Sequence, residues 1–445
     1  MEINETRKQE LLDTYLMHYN MPEVKELTGL TITELEFLMK SAELYHKRKV
    51  MAGDNFIQKI DVFREALIEA VKKADTLYVA LNPKTGYPHV MGDGTVMVFS
   101  EAEYALNAQK HYEEENLTLD MKIADKEKQQ MLWTDLYWWG METIALDVGN
   151  YSSHLDRGAI LPPPDYSKLP KIQIPISNPG LVLSMVRHRQ LLFTQERDEQ
   201  WNKAEQYLGR QMFKEIVKGQ YLCPAKLNNP NGTTPDADGK MNVGAGATLQ
   251  FAVLTDKDGR KWFPAFTDWK AFQRLYDKKE WDGQVVSYED LAALSGKNGI
   301  VINPGGMETR LDERRKEFLN VYVKRFKRIQ EELESSRMEE KSPGFYIGEL
   351  AEWPEELVKA LTECMKKCKE IKKAYLVLKL DHGDEISYLL AVDFKGDRDA
   401  VFASLIDAAH EHADYLPIDI HEANEKVMSL IGDIKPFYKK SFLGL

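Results

Sequence analysis

The sequence predicts a mixed α/β protein: two related small α/β units, a carboxy-terminal α/β sandwich and an amino-terminal helical hairpin. Three observations carry that expectation. First, Trp262-Phe-Pro-Ala-Phe266-Thr-Asp-Trp269 reads as a strand entering a capped helix. It is followed by Tyr288-Glu-Asp-Leu291 and by the strand and turn Gly299-Ile-Val-Ile302-Asn-Pro-Gly-Gly306. A weakened version stands earlier, as Val96-Met-Val-Phe99-Ser-Glu, Thr134-Asp-Leu136 and Thr143-Ile-Ala-Leu146-Asp-Val-Gly149. The shared order predicts an internal duplication. Second, residues 343–445 alternate cleanly between helical and strand patterns. Third, Val24-Lys-Glu-Leu-Thr-Gly29-Leu-Thr-Ile-Thr-Glu34-Leu has the apolar spacing, glycine and polar cap of two helices meeting at a tight turn.

Residues 1–55 form the hairpin. Carboxylates at Glu34 and Glu36 stand where a DNA-reading helix wants cations, so a packing hairpin is favoured over a DNA-binding one. The first unit, 56–165, opens with the helical period of Val62 to Val71, then the strand Thr76 to Leu81. Asn82-Pro-Lys-Thr-Gly86 and Gly92-Asp-Gly94 supply turn chemistry around a hairpin. Glu113 to Lys128, rich in charge, reads as a solvated helix or insertion. Residues 166–195 connect the units. The second unit, 196–312, has an amphipathic helix over Trp201 to Val217 and a hairpin across Asp256-Lys-Asp-Gly259. A linking helix fills 313–342. In the last domain, 343–445, strands at Ala374 to Leu380, Ile386 to Phe394 and Leu416 to Ile420 fit one sheet with helices on one face.

At 445 residues the chain exceeds one ordinary core. Hydrophobic residues at 43% and charged residues at 29% are globular values. A net charge of −12 argues against nucleic acid, whose binding rests on neutralising phosphates, and favours a basic partner. The absence of a long apolar run and of a charged-then-apolar start predicts no membrane span and no secretory signal. Three cysteines make no disulfide framework, so a reduced, cytoplasmic setting is expected.

The string Phe263-Pro-Ala-Phe266-Thr-Asp268, with Gly299-Ile-Val-Ile-Asn303-Pro-Gly305, resembles the amino-terminal domain of the SseB, or enhanced-serine-sensitivity, family. Ala374-Tyr-Leu376, Leu389-Leu-Ala-Val-Asp393, Pro417-Ile-Asp-Ile420 and Pro436-Phe-Tyr438 are similar to its carboxy-terminal domain. The resemblance implies a bacterial protein with no settled enzymatic activity to carry over. Residues 1–165 depart from a minimal member through the added helical segment and a first copy lacking the Phe-Pro-Ala-Phe string.

No catalytic set converges in the sequence, and no cofactor motif is present. Asn303-Pro-Gly305-Gly306 lacks the Lys-Ser/Thr of a phosphate loop and reads as a tight turn. Thr267 and Asp268 read as the cap of the helix starting at Trp269, with Ser100 and Glu101 as counterparts. The aromatic run Phe263, Phe266, Trp269 and Phe272 reads as core. Should Pro264 interrupt a ladder, it becomes an edge suited to peptide addition. The binding candidates are therefore Phe263, Pro264, Phe266, Asp268, Trp269, Asn303, Gly305 and Gly306. Cys223 reads as a structural thiol, and Cys364 with Cys368 lacks a second ligand pair at zinc spacing. His410, His412, Asp414, Asp419 and His421 form the densest ligand cluster, with His412, Asp419 and His421 as the metal alternative. The leading expectation is a non-enzymatic protein-interaction module. A small-molecule or metal enzyme in a cleft between units is the alternative, and DNA binding by the hairpin the weakest.

Overall fold

The computed structural model describes residues 3–50, 55–170, 173–194, 197–228, 233–235, 241–243, 248–334, 338–342, 345–350, 353–381, 385–409, 412 and 417–440. The fold is mixed α/β, in two compact units, Met1–Lys316 and Glu317–Leu445.

Unit one begins with α1 (Glu5–Leu11), a π-helical turn (12–16) and a 3-10 turn (Val24–Leu27). α2 (Ile32–Arg48) starts behind a polar cap, as the sequence predicts, and the cap is a reciprocal capping box between Thr31 and Glu34. α2 buries Leu35, Leu38, Met39 and Ala42 and packs along α3 (Phe56–Lys73), a helix the sequence assigns to the next unit. Lys59 of α3 is fully buried, and its ammonium donates to the carbonyls of Tyr15, Leu16 and His18, orphans of the preceding helical turn.

The first sheet holds β1 (Thr76–Asn82), β2 (Tyr87–Pro88), β3 (Val96–Phe99), β4 (Asp120–Asp125), β5 (Thr143–Leu146) and β6 (Ser153–Asp156). β1 pairs antiparallel with β2, β3 and β4, β3 runs parallel to β5, and β5 runs antiparallel to β6. α4 (Ala102–Glu114) packs Tyr104, Ala105 and Ala108 on Ala80, Met97 and Phe99. α5 (Lys126–Trp138) starts at the Asp125 cap, and α6 (Arg157–Ile160) follows β6. The charge-rich run from Glu113 to Lys128, expected as a solvated helix or insertion, instead leaves the end of α4, crosses a turn, forms the edge strand β4 and enters α5.

The second half of unit one repeats this order. α7 (Pro179–Leu192) packs on α8 (Glu199–Lys218), as α2 packs on α3. Then come β7 (Gln220–Asn228), the small pair β8 (Thr233–Pro235) and β9 (Met241–Val243), β10 (Thr248–Phe251) and β11 (Leu254–Thr255). β12 (Lys261–Ala265), α9 (Trp269–Phe272), β13 (Asp282–Ser287), α10 (Tyr288–Ser295), β14 (Gly299–Ile302), β15 (Thr309–Leu311) and α11 (Glu313–Glu334) complete it, α11 running on into the second unit. β7 pairs antiparallel with β10 and β13 and bridges β12 at Leu222 and Phe266. β12 pairs antiparallel with β11 and parallel with β14, and β14 antiparallel with β15.

The registers correspond. Tyr78 stands opposite Phe99 and Ile123, and Leu222 stands opposite Phe266 and Val285. Val98 partners Leu146 as Ala265 partners Ile302, and these partner Ser153 and Thr309 in turn. Phe99, Phe266, Leu146 and Ile302 are all 0% exposed, as expected for core positions. Beyond each parallel pair, Asp147 and Asn303 adopt positive φ, 48° and 52°. Their N–H groups donate to Val98 and Ala265 carbonyls at 2.9 and 2.8 Å. Their side chains accept the backbone N–H of Ser100 and Thr267 at 2.7 and 3.0 Å. The Ser100 hydroxyl donates to Asp147 Oδ2 at 2.6 Å, and Asn303 Nδ2 donates to Thr267 Oγ1 at 2.9 Å. This corrects the expectation that the hydroxyls cap helices. Asp268 caps α9, accepting the Ala271 N–H at 2.8 Å, and Glu101 precedes α4 without a side-chain cap.

In the first half a second carboxyl meets this clamp. Glu36 of α2 is 0% exposed, and its Oε1 accepts the Ser153 N–H at 3.2 Å. Burial and the Asp147 charge push the Glu36 carboxyl up to about 9, and burial also raises Asp147.

In unit two, β16 (Met338–Ser342), β17 (Phe345–Gly348), β18 (Ile371–Asp381), β19 (Glu385–Phe394) and β20 (Ile418–Glu422) form one sheet in that order, with β21 (Tyr438–Lys439) on β18. β19 and β20 are parallel and the other pairs antiparallel. α12 (Glu355–Lys367) and α13 (Arg398–Ala409) cover Leu376, Leu378, Leu390 and Val392. α14 (Glu425–Ile431) sets Val427 and Ile431 against Val377, Leu389 and Ala391. Helices thus cover both faces rather than one. The reason is that β18 and β19 are apolar at consecutive positions, so each face needs a cover.

Two outcomes follow. Phe266→Ala empties a closed aromatic site and is expected to cost about 3–5 kcal/mol in denaturant unfolding. Because the Glu36 carboxyl is raised on folding, its stabilising contribution is full below its unfolded value and is lost as pH rises through about 9. Glu36→Gln, which keeps the acceptor for Ser153, should leave the unfolding temperature unchanged in mild acid and raise it by several degrees at mildly alkaline pH.

Candidate functional site

A cavity of about 450 Å³ lies between the two halves of unit one. One wall comes from the first half: Lys84 to Tyr87 in the β1–β2 turn, Lys122 on β4, and Asp135 with Trp139 near the end of α5. The other comes from the second half: Arg189 and Phe193 near the end of α7, Lys270 and Arg274 in and after α9, and Gly306 to Glu308 between β14 and β15.

Local chemistry fixes these groups. Asn82 Oδ1 accepts the N–H groups of Lys84 and Thr85 at 3.0 and 3.2 Å, which sets the hairpin turn. The Tyr87 ring meets Trp139 edge-to-face at 4.9 Å. Burial raises the Tyr87 phenol, opposed by the positive charge of the Arg274 guanidinium. Lys270 Nζ lies 2.7 Å from Asp135 Oδ1 and over the Trp139 ring. Glu308 pairs with Arg310 at 2.9 Å, while its carbonyl accepts from Arg189. Both cavity carboxylates are thus already engaged. Lys84, Lys122, Arg189 and Arg274 have no carboxylate partner among the described residues. Lys84 instead stands 5.3 Å from the centre of the Phe193 ring.

Of the eight binding candidates, Gly306 lines this cavity. Phe263, Pro264 and Phe266 are buried, and β12 lies between β14 and its partners β11 and β7, so they form core and leave no aromatic edge. Asp268 caps α9. Trp269 is half-buried against Phe272, with Lys278 over its ring at 3.9 Å. Asn303 is the clamp, and Gly305 sits against Leu275. Lys84, Lys122, Trp139, Arg189 and Arg274 went unrecognised in the sequence because they come from distant segments. The one local signal was the pair of glycine turns at Gly86 and Gly306.

A second feature is the outer edge of each sheet. Among the described residues β4 pairs only with β1, and β13 only with β7. At matching register Ile123 is 56% and Val285 42% exposed. β4 carries Lys122 at its middle, whereas β13 has no basic residue.

In unit two, Cys364 and Cys368 line a groove between α12 and α13 together with His412. Burial raises both thiols, and it pushes the fully buried Cys223 up to about 12, which makes Cys223 structural. The Asp419 carboxylate is taken by Lys379 and Ser387, and His421 is exposed on β20. His410 and Asp414 lie outside the described residues. Among the described residues no grouping of His, Cys, Asp and Glu can hold a metal ion, and no helix is long and apolar enough to cross a membrane.

The fold and site define a mixed α/β protein with paired sheets, a cationic cavity between them and a separate carboxy-terminal α/β unit. Residues 200–313 match the SseB protein N-terminal domain and residues 340–440 the SseB protein C-terminal domain. The chain belongs to the SseB family. No curated protein and no solved structure matches it.

Two glycines, Gly306 in the cavity lining and Gly140 next to the lining residue Trp139, predict opposite outcomes. A Cβ on Gly306 would meet only the Arg274 side chain, whose terminal nitrogen at 2.1 Å is the far end of a long side chain that can shift. Gly140 has φ +71°, and its Cβ would lie 2.6 Å from the Pro179 carbonyl oxygen. Gly140→Ala should destabilise unit one by about 1–3 kcal/mol. Gly306→Ala should stay within about 0.5 kcal/mol of the parent in the same unfolding measurement.

Proposed function

We propose that this SseB-family protein is a non-catalytic, cytoplasmic protein-binding module that adds an extended segment of a basic partner to the outer edge of β13. The observation that carries the reading is the six-residue edge of β13, which among the described residues has no strand partner beyond β7, with Val285 exposed on it. An unpaired edge supplies backbone donors and acceptors to an incoming strand, and neighbouring side chains set its specificity. Soluble proteins usually blunt such an edge with lysine, proline or a bulge. β4 is blunted in this way by Lys122, and β13 is not. The net charge of −12 favours Lys- and Arg-rich segments, and along 277–282 the acids Asp277, Glu280 and Asp282 outnumber the lysines Lys278 and Lys279 by one.

The matched registers of the two halves support an internal duplication in which α2 and α7 begin the copies. On that reading one copy keeps an open edge and the other has closed it, so the binding roles have diverged.

Binding of the full chain to an array of extended peptides tests this. Lys/Arg-rich peptides should be selected. Val285→Lys should weaken them at least about tenfold, the equivalent of 1.4 kcal/mol. Ile123→Lys should leave them unchanged. Selection of no peptide, or equal loss in both variants, would count against the proposal.

A further inference from the structure

We propose that the cavity between the two halves of unit one is a binding site for a small phosphate monoester carrying a planar ring, the chemistry of a nucleoside monophosphate. The inference goes beyond the β13 reading, because it concerns another surface and another kind of ligand.

Charge gives the first half of the argument. In a chain of net charge −12, five cations converge on one cavity with two carboxylates. Lys270 engages Asp135, and Arg310 from outside engages Glu308, so Lys84, Lys122, Arg189 and Arg274 remain without carboxylate partners among the described residues. Cations gathered without counter-charge repel one another, and a bound anion relieves that repulsion. A single carboxylate would neutralise little of such a set, whereas a dianionic phosphate, with oxygens for several donors, answers it. Arg189 and Arg274 also offer planar forks suited to phosphate, and the two lysines add point charges.

Shape and lining give the second half. The volume of about 450 Å³ falls within the range of small-molecule sites, roughly 300–1,000 Å³. Tyr87, Trp139 and Phe193 line it, which favours a ligand with a flat apolar face over a bare ion. Two of the cations also lie close to the rings, Lys84 near Phe193 and Lys270 over Trp139. A ligand holding a phosphate next to a ring matches that arrangement. The glycine at 306 contributes by letting Arg274 lie across the β14–β15 turn.

Calorimetric titration of the full chain tests the site with adenosine 5′-monophosphate as probe, against ribose 5-phosphate, inorganic phosphate and adenosine. Saturable one-to-one binding of the nucleotide, weakened by added salt, is expected. Ribose 5-phosphate and adenosine should each bind at least about tenfold more weakly. The Lys84→Glu, Lys122→Glu double variant and, separately, Arg274→Ala should each lose at least about tenfold in affinity. All three positions are solvent-facing, and circular dichroism with thermal unfolding confirms the fold. Lys257→Glu, a reversal on an exposed turn away from the cavity lining, should bind as the parent. Absence of saturable nucleotide binding overturns the proposal. Equal affinity in parent and cavity variants overturns the location, and equal affinity for nucleotide and ribose 5-phosphate overturns the ring. Val285→Lys should leave nucleotide binding unchanged, so failure of the β13 reading and failure of this one are told apart.

Discussion

The structure of unit one turns on a single kind of contact: the clamp that closes each parallel strand pair. Parallel neighbours cannot be joined by a tight hairpin, so β3 and β5, like β12 and β14, meet only after a long excursion of the chain. What fixes them is a polar residue in the left-handed conformation just past the second strand. Its N–H continues the ladder, and its side chain takes the first backbone donor beyond the first strand. The hydroxyl of Ser100 or Thr267 then completes the network. Asp147 and Asn303 suit the position because their short polar side chains tolerate positive φ and bond locally. The helices, the edge strands and the glycine turns take their places from that anchored pair.

The clamp also explains how the halves differ. An amide at Asn303 satisfies its neighbours without charge. A carboxylate at Asp147 does so at the expense of burying an acid, and α2 then brings a second acid, Glu36, beside it. Burial and the neighbouring Asp147 charge together keep the Glu36 carboxyl protonated far above the usual carboxylate range. The first half therefore accepts an electrostatic strain that the second avoids. In exchange α2 is tied to the end of the sheet through the Ser153 N–H, in addition to its apolar packing on α3.

Much of the architecture was legible because it rests on local signals. The Asp256 to Gly259 turn, the polar cap ahead of Ile32 and the apolar strands at Val96, Gly299 and Ala374 announce themselves within a few residues. β4 did not, since an edge strand exposed along most of its length has no apolar alternation to distinguish it from a solvated helix. The cap at Thr267 was misjudged for a different reason. A hydroxyl before a helix usually caps it, but here a partner 36 residues away in sequence took it first. The cavity is the extreme case. Its cations are ordinary surface residues in their own segments, and only the meeting of the two halves makes them neighbours.

That meeting has a physical consequence for what a paired arrangement can do. The core of each half is closed: Phe99 and Phe266, Leu146 and Ile302 leave no room for a ligand inside either sheet. The space lies where turns and helix ends from both halves face each other, because turns cannot interdigitate as densely as the faces of sheets and helices. Turns also tolerate charged side chains, since their exposed flanks need no burial. A cationic, ring-lined cavity between two closed α/β cores is thus a product of the pairing itself, belonging to neither half alone. The β13 edge, by contrast, belongs wholly to the second half, so the two surfaces can change independently of each other.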